Sequence, residues 1–153
     1  MEKRELIKLW GQNTAYSAKS HFKSGDFKRL WLMSLVVVNI LFAIFSILEL
    51  GLPTLTKIFG ITSLIASVLI LVYESQEDKS VVNRHMKIGD EYLTIHYELQ
   101  ELFAQTNISE EEFERVSRRI KTLNKKDKPI INQIGKWMAK RAIEKKHEMT
   151  KWW

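Results

Sequence analysis

Two long apolar runs dominate the first half of the chain. Leu30–Leu48 is nineteen residues without a formal charge, LWLMSLVVVNILFAIFSIL, and Ile58–Tyr73 is sixteen more, IFGITSLIASVLILVY. At about 1.5 Å of rise per residue, roughly 20 helical residues cross a hydrocarbon core about 30 Å thick. The first run meets that length. The second extends to 22 residues from Leu52 to Tyr73 if the Lys57 ammonium snorkels to the headgroups. Nine residues separate the runs, with Gly51 and Pro53 placed to break the helix. The pattern predicts a transmembrane helical hairpin over 30–73. A soluble domain of this size has little room for two helices that are apolar on every face. A signal peptide would not start its apolar run so late, nor be followed at once by a second span.

Outside the hairpin the apolar residues become periodic. Val81, His85, Ile88, Tyr92, Ile95, Leu99 and Leu102 follow the alternating four-and-three spacing of a coiled-coil seam. The second span is therefore expected to run on as a helical stalk to about Phe103. Its seam has to bury against later helices of the same chain or against copies of the stalk. Ser109 and Glu112 then form a capping box, with Ile108 and Phe113 placed for a hydrophobic staple. Phe113, Val116, Ile120 and Leu123 supply the core face of that helix. Asn124–Pro129 reads as a turn, with Pro129 in the first turn of a last helix that carries Ile131, Ile134, Met138 and Ala142. No stretch alternates like a strand. The expected fold is an all-α membrane protein in three parts: an interfacial segment over 1–29, the hairpin over 30–73, and a helical stalk and basic region over 74–153.

Segment 1–29 is basic and mildly amphipathic. Leu6, Leu9 and Trp10 make one apolar patch, Tyr16, Phe22 and Phe27 follow, and Gly11 and Ser24-Gly25-Asp26 are potential breaks. Short helices lying in the membrane interface are expected. Seven Lys or Arg stand before the first span, whereas the loop between the spans holds only Glu49 and Lys57. That asymmetry places both termini in the cytoplasm, and Trp31 and Tyr73 fall at the matching ends of the spans. The absence of cysteine suits a reducing interior.

Charge divides the region after the hairpin. Residues 74–114 contain eleven acids and three bases, whereas residues 115–153 contain thirteen bases and three acids. One account is mutual neutralisation of an acidic stalk by basic helices. The other is an anion site. Arg115, Arg118, Arg119, Lys121, Lys125, Lys126 and Lys128, then Lys136, Lys140 and Arg141, would meet phosphates, while Trp137, Trp152 and Trp153 stack bases. Within the hairpin, Asn39, Ala43 and Ser46 lie within about 60° of arc at 100° per residue. That face either holds the two helices together or lines a water-accessible path. No catalytic or metal-ligating constellation emerges. His21, His85, His96 and His147 lack metal-binding spacing, so neither an enzyme nor a cofactor is expected.

A basic lead, two close spans ending in LVYES, the helix YLTIHYELQEL and the segment ISEEEFERVSRRIKTLNKKDKP together resemble the SLATT family, over about Phe22 to Ile134. The resemblance implies a pore-forming effector of a bacterial antiviral system. Such an effector would assemble in the inner membrane, under control of a cyclic or linear oligonucleotide or of a partner nucleotidyltransferase or reverse transcriptase. Apart from the resemblance, a two-helix hairpin cannot enclose an aqueous path by itself, so a homo-oligomer, taken as a tetramer, is expected. A membrane-anchored adaptor without pore activity is the alternative.

Overall fold

The computed structural model describes residues 2–48, 53–76 and 78–153, and the side chains of these apart from 72–76 and 78–80. Five helices follow in order: α1 Lys3–Ile47, α2 Pro53–Gln76, α3 Asp78–Ala104, α4 Glu110–Lys125 and α5 Gln133–Glu144. No strand occurs among the described residues. The chain divides into two compact units, one of Met1–Gly25 with Asn83–Trp153, the other of Asp26–Val82.

The first unit is a helical bundle around the expected α3 seam. Five of its apolar members (Ile88, Tyr92, Ile95, Leu99 and Leu102) and His85 are buried, and the cluster includes Ile7 and Ala18 of α1 and Val116 and Leu123 of α4. Phe113 and Ile120 of α4 pack against it partly buried. The seam is therefore covered within one chain, and other copies are not needed to bury it. α4 starts where the cap was expected. Ser109 Oγ accepts from the Glu112 amide at 3.2 Å and donates to the Glu112 carboxylate at 2.8 Å.

Three expectations change. Segment 1–29 is not a set of short interfacial helices, because α1 runs unbroken through Gly11 and Ser24-Gly25 and its first part packs into the bundle. The buried stripe is Ile7, Gly11, Thr14, Ala15, Ala18, His21 and Ser24, at helical spacing but built of small residues. Leu9, counted in the apolar patch, is exposed. The glycine at 11 serves close packing, since a Cβ there would run into the Trp152 ring.

Pro129 lies ahead of α5 rather than in its first turn. The Asn132 side chain captures the Gly135 amide at 2.5 Å and starts the helix after it. The inward face of α5 is Gly135, Ala139, Ala142 and Ile143, with Ile134 left 45% exposed. Ser24 of α1 fills the space a side chain at 135 would need. After α5, His147 takes a left-handed conformation, φ 51°, the position that commonly ends a helix. The tail beyond it is held to α1 by Glu148, which pairs with Lys19 at 3.0 Å and Lys23 at 3.5 Å.

The second unit contains the part of α1 after Gly25 and all of α2. Both helices are long and apolar enough to cross a membrane, and their most apolar stretches are 0% and 6% buried. That exposure is the opposite of what a core helix shows. Gly51 lies outside the described residues, while Pro53 opens α2, as proline suits a first helical position.

Candidate functional site

α4 turns Val116, Ile120 and Leu123 toward the core, so its bases flank that stripe on both sides. One flank meets α3 and forms a surface groove of about 410 Å³ lined by Glu91, Ile95, Arg118, Arg119, Thr122, Leu123 and Lys126. The acids and bases are in register. Glu91 and Glu98 are seven residues apart on α3, Arg119 and Lys126 seven apart on α4, and the pairs formed are Glu98 with Arg119 and Glu91 with Lys126, the latter at 2.5 Å. Arg84 pairs with Asp127 at 2.6 Å. Part of the opposite charge is thus neutralised within the chain.

Arg118 is different. It lines the groove and forms no ion pair among the described residues. A guanidinium presents a planar fork of donors that matches phosphate oxygens. The neighbouring Thr122 hydroxyl adds one donor, and Ile95 and Leu123 offer an apolar floor. The groove therefore has the parts to hold a phosphate with an attached flat or apolar group.

The other expected site residues are dispersed. Arg115, Lys121 and Lys125 are exposed on α4 but do not line this groove. Lys128 is committed to structure. Its ammonium donates to the Tyr92 hydroxyl at 2.8 Å and sits 5.3 Å from the ring centroid, and the Tyr92 hydroxyl lies 3.0 Å from Asn124 Oδ1. Trp137 and Arg141 line two hollows on α5, joined by Lys140 in one of them, and Lys136 is exposed nearby in sequence. Trp152 is not free to stack a base. Its ring is packed at Gly11, with Phe103 at 5.6 Å and Trp153 edge-on at 5.9 Å. Sequence reasoning missed Glu91, Ile95 and Thr122 as groove residues. The matching seven-residue spacings of acid and base were the signal that could have found them.

Of the buried histidines, His21 and His85 pair with each other, and no group of three suitable metal ligands occurs among the described residues. His21 Nδ1 lies 3.1 Å from His85 Nδ1. Tyr92 stacks on His21 with centroids 5.9 Å apart. Burial, then the charges of His85 and Lys128, push the His21 pKa down to about 4.

In the hairpin, the Asn39 amide bonds across to α2 through both of its polar atoms. Its Nδ2 donates to Ser67 Oγ at 2.8 Å, and its Oδ1 accepts from Ser63 Oγ at 2.8 Å. Ser46 Oγ donates to the Thr56 carbonyl at 3.4 Å and lies against Gly60, and Phe42 stacks on Phe59 at 5.5 Å. Asn39 and Ser46, with Ala43 between them in sequence, thus mark the face of α1 that meets α2. Compared with family models, curated proteins and solved structures, the chain matches none.

Proposed function

We propose that the chain is a two-span effector of the bacterial inner membrane. In this scheme its helical unit binds a phosphate-bearing nucleotide or oligonucleotide, and binding controls whether several hairpins associate to breach the bilayer. The observation that carries the ligand is Arg118, a guanidinium with no ion pair among the described residues, beside Thr122 in a groove with an apolar floor. Exposed apolar faces on α1 and α2 support embedding of the hairpin. Residues before and after the spans pack into one unit, which supports having both on one side, and the lysine and arginine bias supports the cytoplasmic side. Two helices cannot surround an aqueous path alone, so permeability requires several copies, four being the number proposed. A nucleotidyltransferase or reverse transcriptase would supply the signal.

One observation favours a second scheme, an adaptor anchored by the hairpin. The Asn39 amide is already paired inside the hairpin, with Ser63 and Ser67 of α2, as an amide that only holds the two helices together would be. Conductance across planar bilayers containing the purified chain separates the two. Ion current that appears or disappears with cyclic or linear oligonucleotides supports the effector. Ligand binding without any current in either condition supports the adaptor. No binding at 50 mM salt rejects the ligand.

A further inference from the structure

α5 presents an outward face that its packing does not explain. Trp137 stands roughly 180° from the centre of the buried stripe at 100° per residue and is 59% exposed; Ile134, one turn earlier, is 45% exposed, and Ile130 just ahead of the helix is 90% exposed. Lys136 and Lys140 lie along one side of this line at 100° per residue, exposed and without an ion pair among the described residues. Arg141 rests over the Trp137 ring, 5.5 Å from its centroid. Glu144, the acid nearest this face along α5, is engaged by the Tyr16 hydroxyl at 3.0 Å.

We infer that this face of α5 docks on an anionic lipid surface, with Ile130, Ile134 and Trp137 at the headgroup–acyl boundary and Lys136, Lys140 and Arg141 among the phosphates. Aliphatic side chains at such exposure gain nothing from a nucleic acid, whereas the acyl boundary takes them up. Arg141 covers one face of Trp137 and so competes with base stacking, while a tryptophan between water and hydrocarbon suits a bilayer interface. The bases around the apolar line supply the charge complementarity. Lys136, Trp137, Lys140 and Arg141 thereby leave the nucleotide site, which stays with Arg118 on α4. This inference rests on the hairpin being embedded, and not on the identity of any nucleotide ligand.

The chain contains no cysteine, so single nitroxide labels can be placed at will. Labels at Ile134→Cys (α5), Val37→Cys (hairpin) and Lys121→Cys (α4) are compared in full-length protein in lipid nanodiscs. Relaxation by oxygen and by a water-soluble nickel chelate reports depth. In discs of phosphatidylcholine with phosphatidylglycerol, the Ile134 label should be shielded from nickel and the Lys121 label open to it. Phosphatidylcholine alone should release the Ile134 label. Adding Lys136→Glu and Lys140→Glu should lower its docked-to-free ratio by about 25-fold or more, since each base near an anionic surface is worth about fivefold. The inference is overturned if the Ile134 label stays as open as the Lys121 label in the anionic discs. Shielding only on addition of an oligonucleotide, or shielding in detergent that grows with protein concentration, overturns it equally, the occupant then being nucleic acid or a second copy. A Val37 label open to nickel would instead reject the embedding on which the inference stands.

Discussion

Nε2 of His96 accepts the indole N–H of Trp152 at 3.1 Å. The other ring nitrogen, Nδ1, lies 3.0 Å from the carbonyl oxygen of Gly11. A carbonyl can only accept, so Nδ1 carries the proton and the ring is neutral in a single tautomer. One side chain on α3 thus ties the end of the chain to the first turns of α1. Burial pushes the His96 pKa below its usual value, against the smaller opposite effect of the Gly11 carbonyl.

The neutral ring makes this contact acid-sensitive. A histidine with a depressed folded pKa contributes stability above its unfolded value near 6.5, and that contribution fades as pH falls through the folded value. Melting of the detergent-solubilised protein, followed by tryptophan fluorescence, should shift to lower temperature below pH 6.5, and His96→Phe should flatten the slope. Gly11→Ala, which drives a methyl into the Trp152 ring, should cost about 1–3 kcal/mol. A melt as stable as the parent's would reject the close approach of tail and helix.

The same sign holds for His21, with a wider window. Its folded pKa of about 4 places the loss between pH 6.5 and 4, amounting to roughly 3 kcal/mol at the acid end. Both histidines face each other across the contact of α1 and α3, with Lys128 adding positive charge. His21→Gln should remove most of that acid dependence while lowering stability at neutral pH. Chemical denaturation at several pH values measures both. An unchanged slope between pH 6.5 and 4 would show that the pair does not titrate with folding.

Arg118 and Arg119 are neighbours with different duties. Reversing Arg119 to Glu sets it against Glu98, whose second carboxylate oxygen is buried without a hydrogen-bond partner. It should destabilise the first unit by about 1 kcal/mol, a modest amount because the pair is partly solvated. Glu98→Arg in the same chain should recover it. Arg118→Glu should alter stability by less than about 0.5 kcal/mol yet abolish oligonucleotide binding. Equal effects of the two reversals on the melt would undo the division.

Asn39→Leu deletes the two hydrogen bonds that the Asn39 amide makes across the hairpin and leaves Ser63 and Ser67 without that side-chain partner. Each such bond within a membrane is worth about 0.6–2 kcal/mol, so the hairpin should loosen measurably in a thermal or steric-trapping assay. If opening of this contact precedes permeability, the variant should also conduct without ligand. A hairpin as stable as the parent's would mean that the amide contributes nothing to holding the helices together.

Much of this organisation was legible along the chain. The two apolar helices, the α3 seam and the start of α4 at Ser109 all depend on spacing or on a cap within a few residues, and such local rules act before any distant contact forms. The groove was half legible. The bases of α4 stood out, but only their register with Glu91 and Glu98 separates paired Arg119 and Lys126 from Arg118, which forms no ion pair among the described residues. Trp152 was misread because an aromatic near a chain end, among lysines, looks the same whether it is packed or free.

The inward stripe of α1 and the phase of α5 came from packing alone. Gly11, Thr14, Ala15, Ala18 and Gly135 carry little hydrophobic weight, so counting apolar residues passes over them in favour of Leu9 or Ile134. Small residues bury efficiently by letting a neighbour come close. Whether that neighbour is Trp152 or Ser24 is a fact about segments more than a hundred residues apart. Hydrophobic periodicity places a helix and its length; among faces of similar polarity, the shapes that meet in three dimensions choose the one that turns inward.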